Sequence, residues 1–291
     1  MRETRRAQQQ GNRAQKEPRP VKHHSVIGAL LTIILTFSLF IAVGSGVLRQ
    51  TAFNPDFVAN EITKTNAAKT LTKKVNTEAV NYATQYHIPA SAVAHLVTKT
   101  AVQSDLTQTI KNIYANKTDP VSTTHIIAHV KQNLTTAIEK NVPLLAGSTT
   151  IVDLITTQLT SSYQQMLQVP QVTQAESQLA SYNQIIQAVF WIALVISVVG
   201  LILLLISDHH LFLTLRHIGW AVLISGGLLF LLRIGMNALG IVDYLAIAAK
   251  EFSEVATQLG NSIISSFTLP SIVLMLIGIV SLIVGHLKRV R

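Results

Sequence analysis

Cysteine is absent from all 291 residues. That excludes a disulfide-built secreted scaffold, a cysteine nucleophile, thiolate-held zinc and an iron–sulfur cluster. Charge is scarce as well. Asp, Glu, Lys and Arg together make up 13% of the chain, about half the ~25% usual in soluble domains. Glycine is nearly missing from the middle of the chain: between residues 49 and 184 only Gly147 occurs. A β sandwich, with a turn signal every ~8–12 residues, does not fit such a stretch. No Walker motif, G-x-S-x-G elbow or Rossmann glycine pattern is present, and no paired acid and base can be picked out for an enzyme.

What is abundant is apolar side chain, at 49% of residues, which excludes disorder over most of the length. Four stretches reach the roughly 20 apolar residues that a helix needs to cross a bilayer: 25–48, 185–207, 218–238 and 269–286. The first exceeds the 7–15 residues of a signal-peptide core and is followed by no A-x-A cleavage site, so it reads as a retained signal anchor. The expected fold is an all-α membrane protein. It has four transmembrane helices, with an extracellular helical domain between the first and the second.

The formal charge of +9 suggests nucleic acid until its position is read. The leader 1–24 holds seven basic residues against Glu3 and Glu17, and the tail 287–291 adds Lys288, Arg289 and Arg291. Residues 49–184 carry ten basic and eight acidic groups, and 239–268 is net negative. Lysine and arginine mark cytoplasmic segments. Both termini and the 208–217 loop are therefore expected in the cytoplasm of a plasma-membrane protein, with 49–184 and 239–268 outside. The leader has no interleaved aromatic residue and reads as a disordered topogenic segment, with the lipid bilayer and not nucleic acid as its partner.

Within 49–184, apolar residues recur at helical spacing. Val93, Leu96, Val97, Ala101, Ile110 and Ile113 form one stripe, and Ile126, Ile127, Val130, Leu134 and Ile138 a second. Ile151, Leu154, Ile155 and Leu159 form a third. Asn54-Pro55 supplies a cap and a first-turn proline, while His87-Ile88-Pro89, Asp119-Pro120 and the 141–148 stretch mark breaks. The pattern predicts helices near 55–86, 91–116, 121–141 and 148–168, with room for local interruptions.

Val172, Ala175, Leu179, Tyr182, Ile186, Val189 and Ala193 follow a 3-4-3-4 rhythm. That is the spacing of a coiled-coil seam running from water into lipid, and it predicts one stalk helix over 171–207. Leu71, Val75, Ala79, Tyr82 and Tyr86 are expected on a partner helix. The 241–263 segment predicts one amphipathic helix, lying on the outer interface or packing against the stalk, with protein packing favoured by its negative charge.

Arg233 is the sharpest polar feature within an apolar stretch. An arginine at a helix centre costs about 2.5–3.5 kcal/mol on insertion scales. Its place near the outer end favours snorkelling to the headgroups, and the alternative is a functional ion pair with Asp243 or Glu254. His125 and His129 stand at i, i+4, with His95 as a distant third ligand. Ile126 replaces the glutamate of the zinc-protease signature, so a solvated helix face is expected and no metal or cofactor. Gly219, Gly226, Gly227, Gly235, Gly278 and Gly285 permit close helix packing, with a broken-helix substrate site at Gly226-Gly227 as the alternative.

The order of one span, an external domain and three further spans resembles the membrane subunits of FtsX/MacB-type ABC transporters. The resemblance implies motion passed across the membrane by the external domain, although the DHHLFLTLRH loop lacks the family's charged coupling segment. Asn54-Pro55-Asp56-Phe57-Val58 and Arg216-His217-Ile218-Gly219-Trp220 are similar to uncharacterised multi-pass membrane proteins of Gram-positive bacteria, including lactobacilli. The expected function is a non-enzymatic sensing, binding or scaffolding protein, accessory to a cell-envelope complex through an envelope protein or a second copy of the chain. An ABC permease-like subunit and a small transporter or pore are the alternatives.

Overall fold

The structure is a computed structural model that describes residues 23–142, 147–167, 170–207 and 211–287, with the backbone alone for 23–26, 170–177, 180 and 287. Residues 1–22 of the basic leader, 208–210 with His209-His210, and 288–291 of the basic tail lie outside the described residues. All regular structure among the described residues is helical.

Among the described residues four helices are long and apolar enough to cross a membrane. They are α1 (His23–Gln50), α8 (Pro170–Ser207), α9 (Leu211–Ala238) and α12 (Thr268–Leu287). The third begins well before its expected start at 218, so 211–217 is helix and not loop. Leu211, Phe212, Leu213 and Leu215 continue the apolar pattern, with no glycine or proline to stop the helix before Gly219.

Small residues set the packing of these four. Helix α1 runs antiparallel to α8, with Ser197 Oγ donating to Ser38 Oγ at 2.9 Å and Gly46 facing the Phe190 ring. It runs parallel to α9, where Gly44 faces Leu229 and Leu35 packs with Ala221. Helices α9 and α12 are antiparallel and the most closely apposed. Backbone meets backbone at Gly219, Gly226 and Gly278. Helix α9 passes unbroken through Gly226-Gly227, so the alternative of a broken-helix site there is not formed.

Between α1 and α8 lies a helical domain of α2 (Pro55–Thr63), α3 (Ala67–Gln85), α4 (Ala90–Val93), α5 (Lys99–Tyr114), α6 (Thr124–Asn141) and α7 (Thr149–Leu167). The Asn54 carboxamide caps α2 as the sequence predicts, accepting from the amides of Asp56 at 3.0 Å and Phe57 at 3.3 Å. Leu71, Val75, Ala79, Leu96, Val97, Ile126, Val130, Leu134, Ile138, Ile155 and Leu159 are buried in one core. Leu154, read into the third stripe, is exposed, and Tyr163 extends the buried face instead.

Three expectations change in detail. The local breaks fall at 64–66, dividing 55–86 into α2 and α3, and at 94–98, where Leu96 and Val97 enter the core from irregular backbone. Buried backbone needs partners, and other helices provide them. The Asn76 carboxamide bonds both the amide and the carbonyl of Val97 at 2.9 Å, and Asn133 donates to the Leu96 carbonyl at 2.8 Å. Secondly, α3 faces the domain core against α4, α5 and α7. Leu71, Val75 and Ala79 fill that core, and the Tyr82 hydroxyl meets Ser162 Oγ at 3.0 Å. A 3-4 spacing fits a domain core as well as a stalk seam. Thirdly, the 239–268 segment is two helices, α10 (Ile241–Ala249) and α11 (Ser253–Ser266), joined by a 3₁₀ turn, Lys250–Phe252. Lys250 takes φ +49°, which ends α10 and folds it back so that Val242 packs on Gly260.

Helix α8 is continuous for 38 residues, about 57 Å at 1.5 Å per residue. The side chains of Val172 and Ala175 lie outside the description. Leu179, Ile186 and Val189 are half-buried, Ala193 is buried, and Tyr182 is 52% exposed. The seam therefore closes on α1 in its lower part and opens at Tyr182.

Helix α3 ends in a Schellman motif, the Ile88 amide reaching Ala83 O at 3.0 Å and the His87 amide reaching Thr84 O at 3.1 Å. His87 occupies the left-handed position at φ +59°, where glycine avoids a Cβ penalty of roughly 1–2 kcal/mol. His87→Gly is expected to slow hydrogen exchange at the end of α3, with a stabilisation of about 1 kcal/mol or less once glycine's extra chain entropy is counted. Faster exchange would show that the His87 side chain contributes more than its backbone costs.

Candidate functional site

Among the described residues no group of three or more His, Cys, Asp and Glu is placed to hold a metal ion. His125 Nδ1 lies 2.9 Å from Asp105 Oδ1, while His129 is half-buried and His95 exposed.

Asp105 is fully buried on α5. Its carboxylate accepts from the Ser122 hydroxyl at 2.9 Å and from the amides of His125 at 3.1 Å and Ile126 at 2.9 Å. Thr123 makes no side-chain cap, so Asp105 caps α6 from another helix. Asp, His and Ser meet here, but Ser122 and His125 both address the same oxygen, Asp105 Oδ1. A nucleophilic serine would instead bond the histidine base. The cluster is a fold staple. Burial, and secondarily the Asp105 charge, push the Tyr163 phenol up, and its buried hydroxyl has no hydrogen-bond partner among the described residues.

A cleft of about 230 Å³ lies between α6 and α7, lined by Lys131, Glu139, Gly147 and Asp153 among others. It is smaller than the ~300–1,000 Å³ usual for small-molecule sites. Lys131 and Asp153 already pair there at 2.9 Å.

The arrangement that ties the molecule together is the seat of the domain on the apolar helices. The Tyr114 hydroxyl donates to the Ala52 carbonyl at 2.5 Å, and its phenol is pushed up to about 12 by burial. Lys111 pairs with Asp56 at 2.8 Å. Val58, Ala59 and Ile110 form a small core that takes in Leu259 of α11. Glu61, only 4% exposed, receives Ser262 Oγ at 2.7 Å, Gln258 Nε2 at 2.9 Å and Lys64 Nζ. The Asn66 amide and side chain both reach Glu254 Oε1 at 3.1 Å, and Lys74 pairs with Glu251 at 2.9 Å. Helix α11 leads directly into α12, so this clasp joins the domain to the fourth apolar helix. Of the two settings expected for the 241–263 segment, α11 packs on protein, but on α2 of the domain and not on the stalk helix.

Burial alone would raise the Glu61 carboxyl. The hydrogen bonds from Lys64, Ser262 and Gln258, with the Lys64 charge, outweigh it and hold the group below its ordinary value of 4.5. A lowered carboxyl contributes stability above its unfolded value and loses it as pH falls through the folded one. The clasp should therefore be intact at neutral pH and loosen on acidification below about 4.5. Hydrogen exchange in 253–266, corrected for intrinsic rates, should quicken on acidification, and Glu61→Gln should quicken it at neutral pH. An acid response in the Glu61→Gln variant equal to that of the native chain would assign the effect to another group.

Arg233 forms no ion pair with Asp243 or Glu254 among the described residues, and Glu254 is engaged by Asn66. Leu229 and Met236, on either side of Arg233, pack with Val47 and Leu48, so Arg233 lies level with Arg49. The Arg49 guanidinium stacks 4.5 Å over the Phe190 ring, beside Trp191. Neither the clasp nor the Asp105 cap was foreseen from sequence; the acidic residues of 239–268 were its only trace.

The architecture defines a class: an all-helical chain with four membrane-length apolar helices and a helical domain between the first two. Comparison with protein-family models, curated proteins and solved structures returns no match.

Proposed function

We propose that the protein is a multi-pass plasma-membrane protein with cytoplasmic termini. Its external helical domain serves as a fixed binding or scaffolding platform within a cell-envelope complex. The observation that carries this reading is the clasp between α2 and α11. It seats the domain on the apolar bundle by buried and ionic contacts instead of leaving it on a flexible tether. An outward face of α10 supports partner binding, because Tyr244 is 74% and Ile247 78% exposed, and apolar patches of this kind mark interaction surfaces.

Single cysteines at positions 10, 120 and 250, in a chain with no native thiol, test the orientation. An impermeant maleimide added to intact cells should label the last two only; labelling at position 10 would sink the topology. A photo-crosslinker at Ile247 should give a defined adduct with an envelope protein, and adducts with lipid alone would count against the platform.

The uninterrupted α8, passing from the domain into the apolar bundle, favours a second reading as an ABC permease-like subunit that transmits motion. Stoichiometric co-purification of an ATPase from native membranes would establish it over the first.

A further inference from the structure

Arg233 presents a chemical problem that the chain leaves unsolved. It follows Val222, Gly226 and Leu229 on the packed face of α9, all three of them buried, and is itself half-buried. Its Nε is buried without a hydrogen-bond partner among the described residues. A guanidinium carries five donors and stays charged at any ordinary pH, and a desolvated donor with no acceptor is costly. The carboxylates at this end of the bundle do not answer it. Glu61 is held by Lys64, Gln258 and Ser262, Glu251 by Lys74 and Glu254 by Asn66, while Asp243 forms no ion pair with it.

No described residue supplies the acceptor. Arg233 lies at the end of the apolar bundle, level with Arg49, whose guanidinium stacks over Phe190 beside Trp191. Arginine and aromatic residues at such a level mark the headgroup layer. Leu231, Leu232 and Ile234 on α9 and Leu269 on α12 are exposed around it, an apolar wall suited to acyl chains. A phosphate diester matches the planar fork of arginine with two oxygens.

We propose that Arg233 binds the phosphate of a phospholipid whose headgroup enters between α9 and its neighbours at the domain-side end of the bundle. The exposed apolar wall favours a lipid over a free phosphate ion. The proposal rests on the membrane reading given above.

Native mass spectrometry of the full chain, delipidated in a maltoside, tests it with four probes: phosphatidylglycerol, phosphatidylcholine, monogalactosyl diacylglycerol and inorganic phosphate. Both phospholipids should be retained about tenfold better than the phosphate-free galactolipid, a difference of about 1.4 kcal/mol. Inorganic phosphate at millimolar concentration should not displace them. Arg233→Gln should bring phospholipid retention down to the galactolipid level, with Arg233→Lys intermediate. Equal retention of the galactolipid, or unchanged retention in Arg233→Gln, would overturn the proposal, and displacement by inorganic phosphate would reassign the site to a soluble anion. A disulfide between Ser38→Cys and Ser197→Cys in the Arg233→Gln background checks that the bundle still forms. Resistance to alkaline extraction reports membrane insertion separately: an inserted chain without phospholipid preference refutes this inference alone, and an extractable chain refutes the membrane reading with it.

Discussion

Asp105→Ala should lower the opening free energy of α6 by about 3–4 kcal/mol. The substitution removes a helix cap, at ~1 kcal/mol, and leaves the Ser122 hydroxyl and the His125 and Ile126 amides without their acceptor, at ~1–3 kcal/mol for a buried group left unsatisfied. Water reaches the site poorly, since Asp105 is fully buried and Ser122 nearly so. Asp105→Asn, which keeps one acceptor oxygen but turns an NH₂ group towards donors, should fall between. Asp153→Ala removes the exposed pair with Lys131 and should change stability by less than about 1 kcal/mol. Hydrogen exchange of peptides from 124–141 measures all three in the intact chain. Equal effects of Asp105→Ala and Asp153→Ala would mean that solvent replaces the carboxylate as the cap.

The second large effect is expected at the α9–α12 contact. A Cβ added to Gly278 would stand 2.6 Å from Leu223 N and 2.8 Å from its Cα, and one added to Gly226 would stand 2.9 Å from Met275 N and Ser271 O. Backbone cannot swing aside as a side chain does, so the helices must part. Gly278→Ala and Gly226→Ala should each cost towards the upper end of the ~1–3 kcal/mol usual for overpacking. Gly227 and Gly235 have nothing within 4 Å of the same position. Alanine there should be neutral or gain up to ~1 kcal/mol from helix propensity. Thermal stability of the four variants in one detergent separates the pairs. Equal melting for Gly227→Ala and Gly278→Ala would contradict the close backbone approach.

Local features were legible from residue order. Asn54-Pro55 caps α2, the 126–130–134–138 spacing buries its face, and the apolar stretches form the four long helices. What escaped depends on partners far along the chain. Asp105 is an unremarkable acidic residue until Ser122 and His125 fold against it. Glu61 meets Gln258 and Ser262 from beyond the third apolar helix. The irregular 94–98 stretch reads as helix because nothing local shows Asn76 and Asn133 bonding its backbone. Leu71, Val75 and Ala79 were assigned to a stalk because helical spacing shows that a face is buried without showing against what. Arg233 stands out in the sequence as a charge within an apolar stretch, and the alternative of an ion pair with Asp243 or Glu254 is not formed among the described residues.

The most direct test of the clasp is a disulfide across it. The chain has no cysteine of its own, so Asn66→Cys with Glu254→Cys reports a single contact. Ser38→Cys with Ser197→Cys, within the apolar bundle, calibrates the oxidation. In native membranes the clasp pair should crosslink as fully as the bundle pair and within the same time. A clasp pair that stays reduced while the bundle pair closes would show that the domain is not seated on α11.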